Sequence, residues 1–302
     1  MKKKKNLSLK GREAFYGIMF ISPWIIGIIV FFLYNLIGAF AFSLNTIDTT
    51  AGLSFTWVGL RNFRVLLLEH GTFNRTLVDS MVLIFTQLPL IIFFSLFMAI
   101  LLNRKFLGRG LVRAIFFLPV ILATTAIQGP MNLVMQLMLG GVSALPPELM
   151  QQQQGFNAQI VIMTLASFNV PPQIIGFLVT AIAGLHDVIR ASGVQIIIFL
   201  AALQAIPPSM YEVAQIEGAT GYEIFWKITI PLVSPLILTN VVYTIVDRYA
   251  QSGIVNMAHS FAFTQQQFGL SSAMSVVSSA VILLLMGLLV WAISKRVFYY
   301  ND

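Results

Sequence analysis

The stretch Pro207–Pro235, PPSMYEVAQIEGATGYEIFWKITIPLVSP, carries Glu212, Glu217, Glu223 and Lys227 between long apolar runs. Pro207 and Pro208 disfavour continuing a helix that arrives from the N-terminal side. Ser209 and Glu212 have the S-x-x-E spacing of a capping box, in which the hydroxyl accepts a backbone N–H and the carboxylate returns to the cap. A short helix is therefore expected to about Glu217, closed by Gly218 in the left-handed region. Thr220 and Glu223 repeat the spacing and open a second helix, in which Ile224, Phe225 and Ile228 share a face. Pro231 is expected to stop that helix and to suit the first turn of the next. Capping accounts for Ser209, Glu212, Thr220 and Glu223 without any function. It does not account for so long a connection, when NRKFLGRG (103–110) suffices elsewhere in the chain. A short rigid projection suits docking into a groove on another protein.

The surroundings of this stretch are oily. Of 302 residues, 58% are hydrophobic and 10% are charged, with mean hydropathy +0.86. A soluble domain carries about 25% charged residues, so an integral membrane protein is expected. The chain has no cysteine, which excludes disulfides and thiolate metal sites. His70, His186 and His259 are isolated in sequence. No metal and no cofactor is expected.

A helical span needs about 20 mainly apolar residues. Such runs lie at about 15–43, 79–102, 111–139, 174–206, 232–252 and 271–294, which gives an all-α integral membrane protein of about six helices. The fourth run is interrupted at RASG (190–193). Polar loops are expected at 44–78, 140–172 and 253–270, the second holding LPPE and QQQQ (151–154). The first apolar run exceeds the roughly 7–15 residues of a signal-peptide core and has no small-residue cleavage site after it, so it is read as an uncleaved span.

Charge fixes the orientation. With the N-terminus inside, the cytoplasmic segments collect Lys2, Lys3, Lys4, Lys5, Lys10, Arg12, Arg104, Lys105, Arg109, Arg113, Lys227, Lys295 and Arg296. The outer loops collect only Arg61, Arg64 and Arg75. The bias follows the positive-inside rule and puts both termini, and the opening stretch, in the cytoplasm.

The stretch resembles the EAA loop of ABC-importer permease subunits, whose pattern runs E-A-A, three residues, G, then an I-x-L-P ending. Here it reads Glu212-Val213-Ala214, Gly218-Ala219 and Ile228-Thr229-Ile230-Pro231. Val213 replaces the first Ala, and Glu217 stands where Asp is usual. The preceding IIIFLAALQAIPPSMYE, with FISPWIIG, TWVGLRNF and FGLSSAMSV elsewhere, is similar to the carbohydrate-uptake branch, which includes the maltose transporter's membrane subunits. The large extra outer domain of one maltose subunit has no counterpart in the short loop 44–78.

The resemblance implies a type I importer architecture in a bacterial cell membrane. A basic cytoplasmic segment (1–14) would precede one transmembrane permease domain (15–302), with a coupling loop at about 207–231. It implies a second permease subunit, two cytoplasmic ATPase subunits that receive Glu212, Ala214, Glu217, Gly218 and Ala219, and an extracellular or lipid-anchored binding protein that delivers a sugar or oligosaccharide. The chain has no G-x-x-x-x-G-K-[ST] loop, so ATP hydrolysis is expected on separate subunits and none here. An importer of another small solute, or a secondary transporter, is the alternative. A membrane enzyme would need clustered His, Asp, Glu or Ser at one face, which the outer loops lack.

Charges inside the apolar runs mark a candidate substrate path. Arg190 is 16 residues from Ile206, and Asp247 is 15 from Leu232. At about 1.5 Å per residue each lies on the order of 22–24 Å from the inner boundary. Asn240 and Tyr243 lie further inward on the helix of Asp247 and Arg248. Either Asp247 or Arg248 borders the outer cavity with Arg190 balancing Asp247, or tilt brings these charges to the interface, where they snorkel.

Overall fold

The computed structural model describes residues 9–48, 54–104, 107–108, 110–111, 113–114, 167–168, 171–295 and 297. The first apolar run is one continuous rod: helix α1 (Leu9–Gly27), a π-helical stretch (Ile28–Leu33) and α2 (Tyr34–Ser43). A hairpin of β1 (Asn45–Asp48) and β2 (Ser54–Trp57) follows, antiparallel, with Asn45 opposite Trp57. Then come α3 (Arg61–Arg64), a π turn (Val65–Glu69) and α4 (Gly71–Asn103). The later helices are α5 (Pro172–Ala191), α6 (Gly193–Ala205), α7 (Pro208–Ile216), α8 (Gly221–Ile224), a π turn (Phe225–Thr229), α9 (Ile230–Ala250), α10 (Gly253–Phe263) and α11 (Phe268–Ser294).

This is a multi-pass, all-α membrane architecture apart from the short hairpin. Among the described residues, four helical runs are long and apolar enough to cross a membrane: Tyr16–Ser43, Gly71–Asn103, Gly221–Phe263 and Phe268–Ser294. A fifth arises if α6 and α7, bent by 63°, count as one. The expected third span lies almost wholly outside the described residues, as do the LPPE and QQQQ segments.

Several boundaries differ from the expectation. The polar loop 44–78 is largely structured, and α4 starts at Gly71, because the His70 ring Nδ1 accepts the Phe73 backbone N–H at 3.2 Å and caps it. The loop 253–270 holds α10, whose Ile254, Ala258 and Ala262 recur every fourth residue on a buried face. Pro231 does not stop its helix. It sits in the first turn of α9, after a π turn in which Ile230 N–H bonds Phe225 O, so the run from Gly221 stays continuous. The interruption at RASG is a real break: Ser192 separates α5 from α6, and its hydroxyl donates back to Val188 O.

The chain divides into two compact units, 1–81 with 251–284 and 82–250 with 285–302. In the first, Asn62 Nδ2 donates to Ser43 O (2.9 Å) and Asn45 O (3.1 Å), tying α3 to the end of α2. Gly269 packs so closely that a Cβ there would lie 2.1 Å from Asn45 O. Ser80 Oγ accepts the Ile254 N–H at 3.2 Å and holds the start of α10. In the second unit, Ala99 and Leu102 of α4, Ile196, Phe199, Leu200 and Leu203 of α6, and Val233 of α9 form a core. Arg113 caps α4 by donating twice to Leu102 O, at 3.3 and 2.8 Å.

Candidate functional site

The connection between α6 and α9 emerges from that second core. Helix α6 ends at Ile206 in extended geometry, and Pro207 precedes a helix that starts at Pro208. The N-cap residue of α7 is Pro207, with no side-chain cap bond, so the Ser209–Glu212 box does not form. Proline at the first helical position has a preset φ and no N–H to satisfy, and it moves the start one residue ahead of Ser209.

The far end of α7 is as expected. Gly218 has φ 79°, its N–H bonds Gln215 O at 3.1 Å, and Ala219 N–H bonds Ala214 O at 2.9 Å. These two bonds are a Schellman closure, which needs a residue that tolerates positive φ. The second box is complete. Glu223 N–H donates to Thr220 Oγ1 (3.3 Å), Thr220 N–H donates to Glu223 Oε2 (3.0 Å), and Lys227 adds an ion pair to Glu223 Oε1 at 3.0 Å.

This segment is two-faced. Ala214 is buried and Tyr211 packs on the core, its hydroxyl 3.4 Å from Thr229 Oγ1. Glu212, Glu217 and Gly218 are exposed, and so are Met210, Val213 and Ile216, the last at 86%. Ala219 is half-buried. A nine-residue helix that turns apolar and acidic side chains outward offers a mixed docking face.

The intramembrane residues differ in exposure and in partners. Arg190 is exposed at the end of α5, Asp247 and Arg248 are half-buried, and Tyr243 is 37% exposed. Arg248 Nη2 donates to Gln87 Oε1 of α4 at 2.6 Å, a charge-assisted bond. Asn240 is fully buried, and its Nδ2 donates to Gln195 O at 3.4 Å. Gln195, itself fully buried, donates from Nε2 to Thr244 Oγ1 at 3.0 Å. Gln195 Oε1 and Asn240 Oδ1 are buried without a hydrogen-bond partner among the described residues.

Sequence reasoning missed Gln87, Gln195 and Thr244. A lone amide inside an apolar run, as in LIFTQLPLI and GVQIIIF, was the available signal, since polar groups in a membrane seek partners.

No protein-family model matches the chain. The trehalose/maltose transport system permease protein MalF of Thermococcus litoralis is 28% identical over 295 residues, covering 91% of this chain and 92% of that protein. The probable ABC transporter permease protein YesP of Bacillus subtilis is 28% identical, covering 82% and 74%. The sn-glycerol-3-phosphate transport system permease protein UgpA of Agrobacterium fabrum is 26% identical, covering 93% and 95%. The crystal structure of a bacterial ABC transporter that imports alginate contains a chain of the same fold, with TM-score 0.62 at 18% identity, covering 95% of this chain and 97% of that one. The relatives named above are permease proteins, and the alginate importer shares the fold alone. Along most of its length the chain is similar in sequence to sugar and oligosaccharide transport permeases, and it shares its fold with a chain of a bacterial ABC importer.

Proposed function

We propose that the chain passes a sugar or oligosaccharide inward, received from an extracellular solute-binding protein, and works beside a second permease subunit and two cytoplasmic ATPase subunits. Six spans with both ends in the cytoplasm, in the type I importer arrangement, are part of this reading. Residues 1–14 would form its basic inner segment and 15–302 one permease domain. The lopsided distribution of Lys and Arg supports that orientation.

The observation that carries the coupling role is α7. Its acidic and apolar side chains face outward, its inner face rests on the α4–α6–α9 core, and Gly218 fixes its exit at φ 79°. Glu212, Glu217 and Gly218 would meet the ATPase groove, and Ala214 and Ala219 would seat the helix. A push on α7 then reaches α6 and α9 together, because Gln195, Asn240 and Thr244 bind those two helices to each other.

The solute path would run past Tyr243, Asp247 and Arg248, with Arg190 balancing Asp247. Asn240 lies on the same helix, but its burial against Gln195 suits holding α9 in place. A different solute is the second reading. The sn-glycerol-3-phosphate permease of Agrobacterium fabrum aligns with 93% of this chain, so a small phosphorylated polyol competes with a sugar. Uptake by vesicles holding the assembled complex separates the classes. ATP-driven uptake that vanadate stops and an ionophore spares is the expected result. Uptake that an ionophore abolishes and vanadate spares would mean a secondary transporter. Competition by maltose, trehalose or glycerol phosphate then ranks the solutes.

A further inference from the structure

The hairpin beyond the first span has two chemically distinct faces. Strand side chains alternate, so Phe55 and Trp57 project from one face and Ser54 and Thr56 from the other. On the polar face, Thr56 Oγ1 donates to Thr46 O at 3.2 Å. On the apolar face, Ile47 is covered, while Phe55 and Trp57 remain open, Trp57 at 71%. Further along the same segment, Leu60 and Leu68 are exposed, at 71% and 77%. An isolated two-stranded hairpin is marginal in water, and an uncovered aromatic face adds to its cost.

Two observations identify what covers that face. The first is continuity. Phe55 stacks on Phe42, ring centroids 6.1 Å apart and 19° from parallel, and Phe42 sits in the last turn of the first span. None of that span's apolar window is buried within the described chain. Trp57 pairs with Asn45, two residues past the end of α2, and Asn62 clamps Ser43 and Asn45 to α3. The aromatic face therefore continues the apolar surface of a membrane helix at the level where that helix leaves the bilayer. The second is charge. Arg61 and Arg64, three residues apart on one side of α3, are exposed next to Leu60.

We propose that the β1–β2 hairpin, with Leu60 and Leu68, lies in the headgroup layer of the bilayer at the Ser43 end of the first span, Trp57 and Phe55 facing the acyl boundary and Arg61 and Arg64 on lipid phosphates. Tryptophan favours this depth because its ring is apolar and its N–H is polar. The segment is then an interfacial anchor for the first span and not a free loop. The inference depends neither on the solute nor on which leaflet is involved.

The test uses the full chain in vesicles of phosphatidylethanolamine and phosphatidylglycerol. Trp24, Trp226 and Trp291 are replaced by Phe, so that Trp57 is the sole tryptophan. Nitroxide on lipid headgroups should quench Trp57 about twofold or more above nitroxide at acyl ends, and aqueous iodide should quench it weakly. Arg61→Gln and Arg64→Gln should each lower the preference for phosphatidylglycerol over phosphatidylethanolamine at this site by roughly fivefold. Full quenching by iodide with none by headgroup nitroxide would overturn the proposal. Displacement of the headgroup quencher on adding the solute-binding protein would overturn it too, and would make the face a protein dock. Should the tryptophan variant fail to fold, a spin label on Trp57→Cys in this cysteine-free chain gives the same answer. Oxygen accessibility above that of a water-soluble nickel chelate supports the anchor, and the reverse refutes it.

Discussion

Two polar regions interrupt this apolar chain, and they are built on opposite terms. The segment 207–231 keeps its caps at the surface, where neighbours in sequence satisfy them: Gly218 and Ala219 close α7, and Thr220 and Glu223 cap each other. The Gln195–Asn240–Thr244 node keeps its polar groups fully buried, and its partners are 45 and 49 residues away in sequence. The first needs no tertiary structure to be specified. The second exists only once α6 and α9 have met, and it leaves two amide oxygens without partners among the described residues. Changes in the first region should alter coupling with the fold intact. Changes in the second should alter stability and rigidity together.

Gly218→Val should have the largest effect. A β-branched residue at φ 79° is strained by about 1–3 kcal/mol and re-aims α7, so uptake should fall on the order of tenfold or more. The variant should insert normally, and the complex should still hydrolyse ATP. Normal uptake by a normally expressed variant would remove α7 from the coupling role. A charge swap is next. Arg190→Asp and Asp247→Arg should each impair uptake, the cost of an unbalanced intramembrane charge being about 2.5–3.5 kcal/mol, and the double variant should recover much of it. Two single variants that transport normally would place both charges at the interface.

Gln195→Leu should destabilise the protein by about 0.6–1.7 kcal/mol in unfolding measurements, the range for buried polar contacts between membrane helices. Combining it with Thr244→Val should cost less than the sum, since each single change strands the other's partner. Strict additivity would mean the node contributes nothing as a pair. The smallest effects separate the two caps. Thr220→Ala should cost about 1 kcal/mol, whereas Ser209→Ala should stay within about 0.5 kcal/mol, because α7 starts on Pro208 and draws no side-chain cap from Ser209.

The contrast also explains what was legible in the sequence. Gly218 and the Thr220–Glu223 box follow from spacings of a few residues, and both stand in the structure. The Ser209–Glu212 box had the same spacing and failed, because a proline at the first helical position outcompetes a hydroxyl one residue later. Helix α10 carried a readable signal in Ile254, Ala258 and Ala262, masked by the polar residues Asn256, His259 and Ser260 between them. The run through Pro231 was misread because a π turn absorbs the missing N–H, and no local spacing announces that. Gln195 and Gln87 were visible as isolated amides. Their partners Thr244 and Arg248 were not, since only helix packing chooses them.

The central claim is that α7 is the surface through which ATP-driven motion enters this permease. Val213 is exposed on its outward face, and the chain has no native cysteine, so Val213→Cys gives a single reporter. In membranes holding the assembled complex, an impermeant thiol reagent should label position 213 only from the cytoplasmic side, and binding of the ATPase subunits should protect it. Labelling from the outside, or labelling at the same rate with and without the ATPase subunits, would contradict the account.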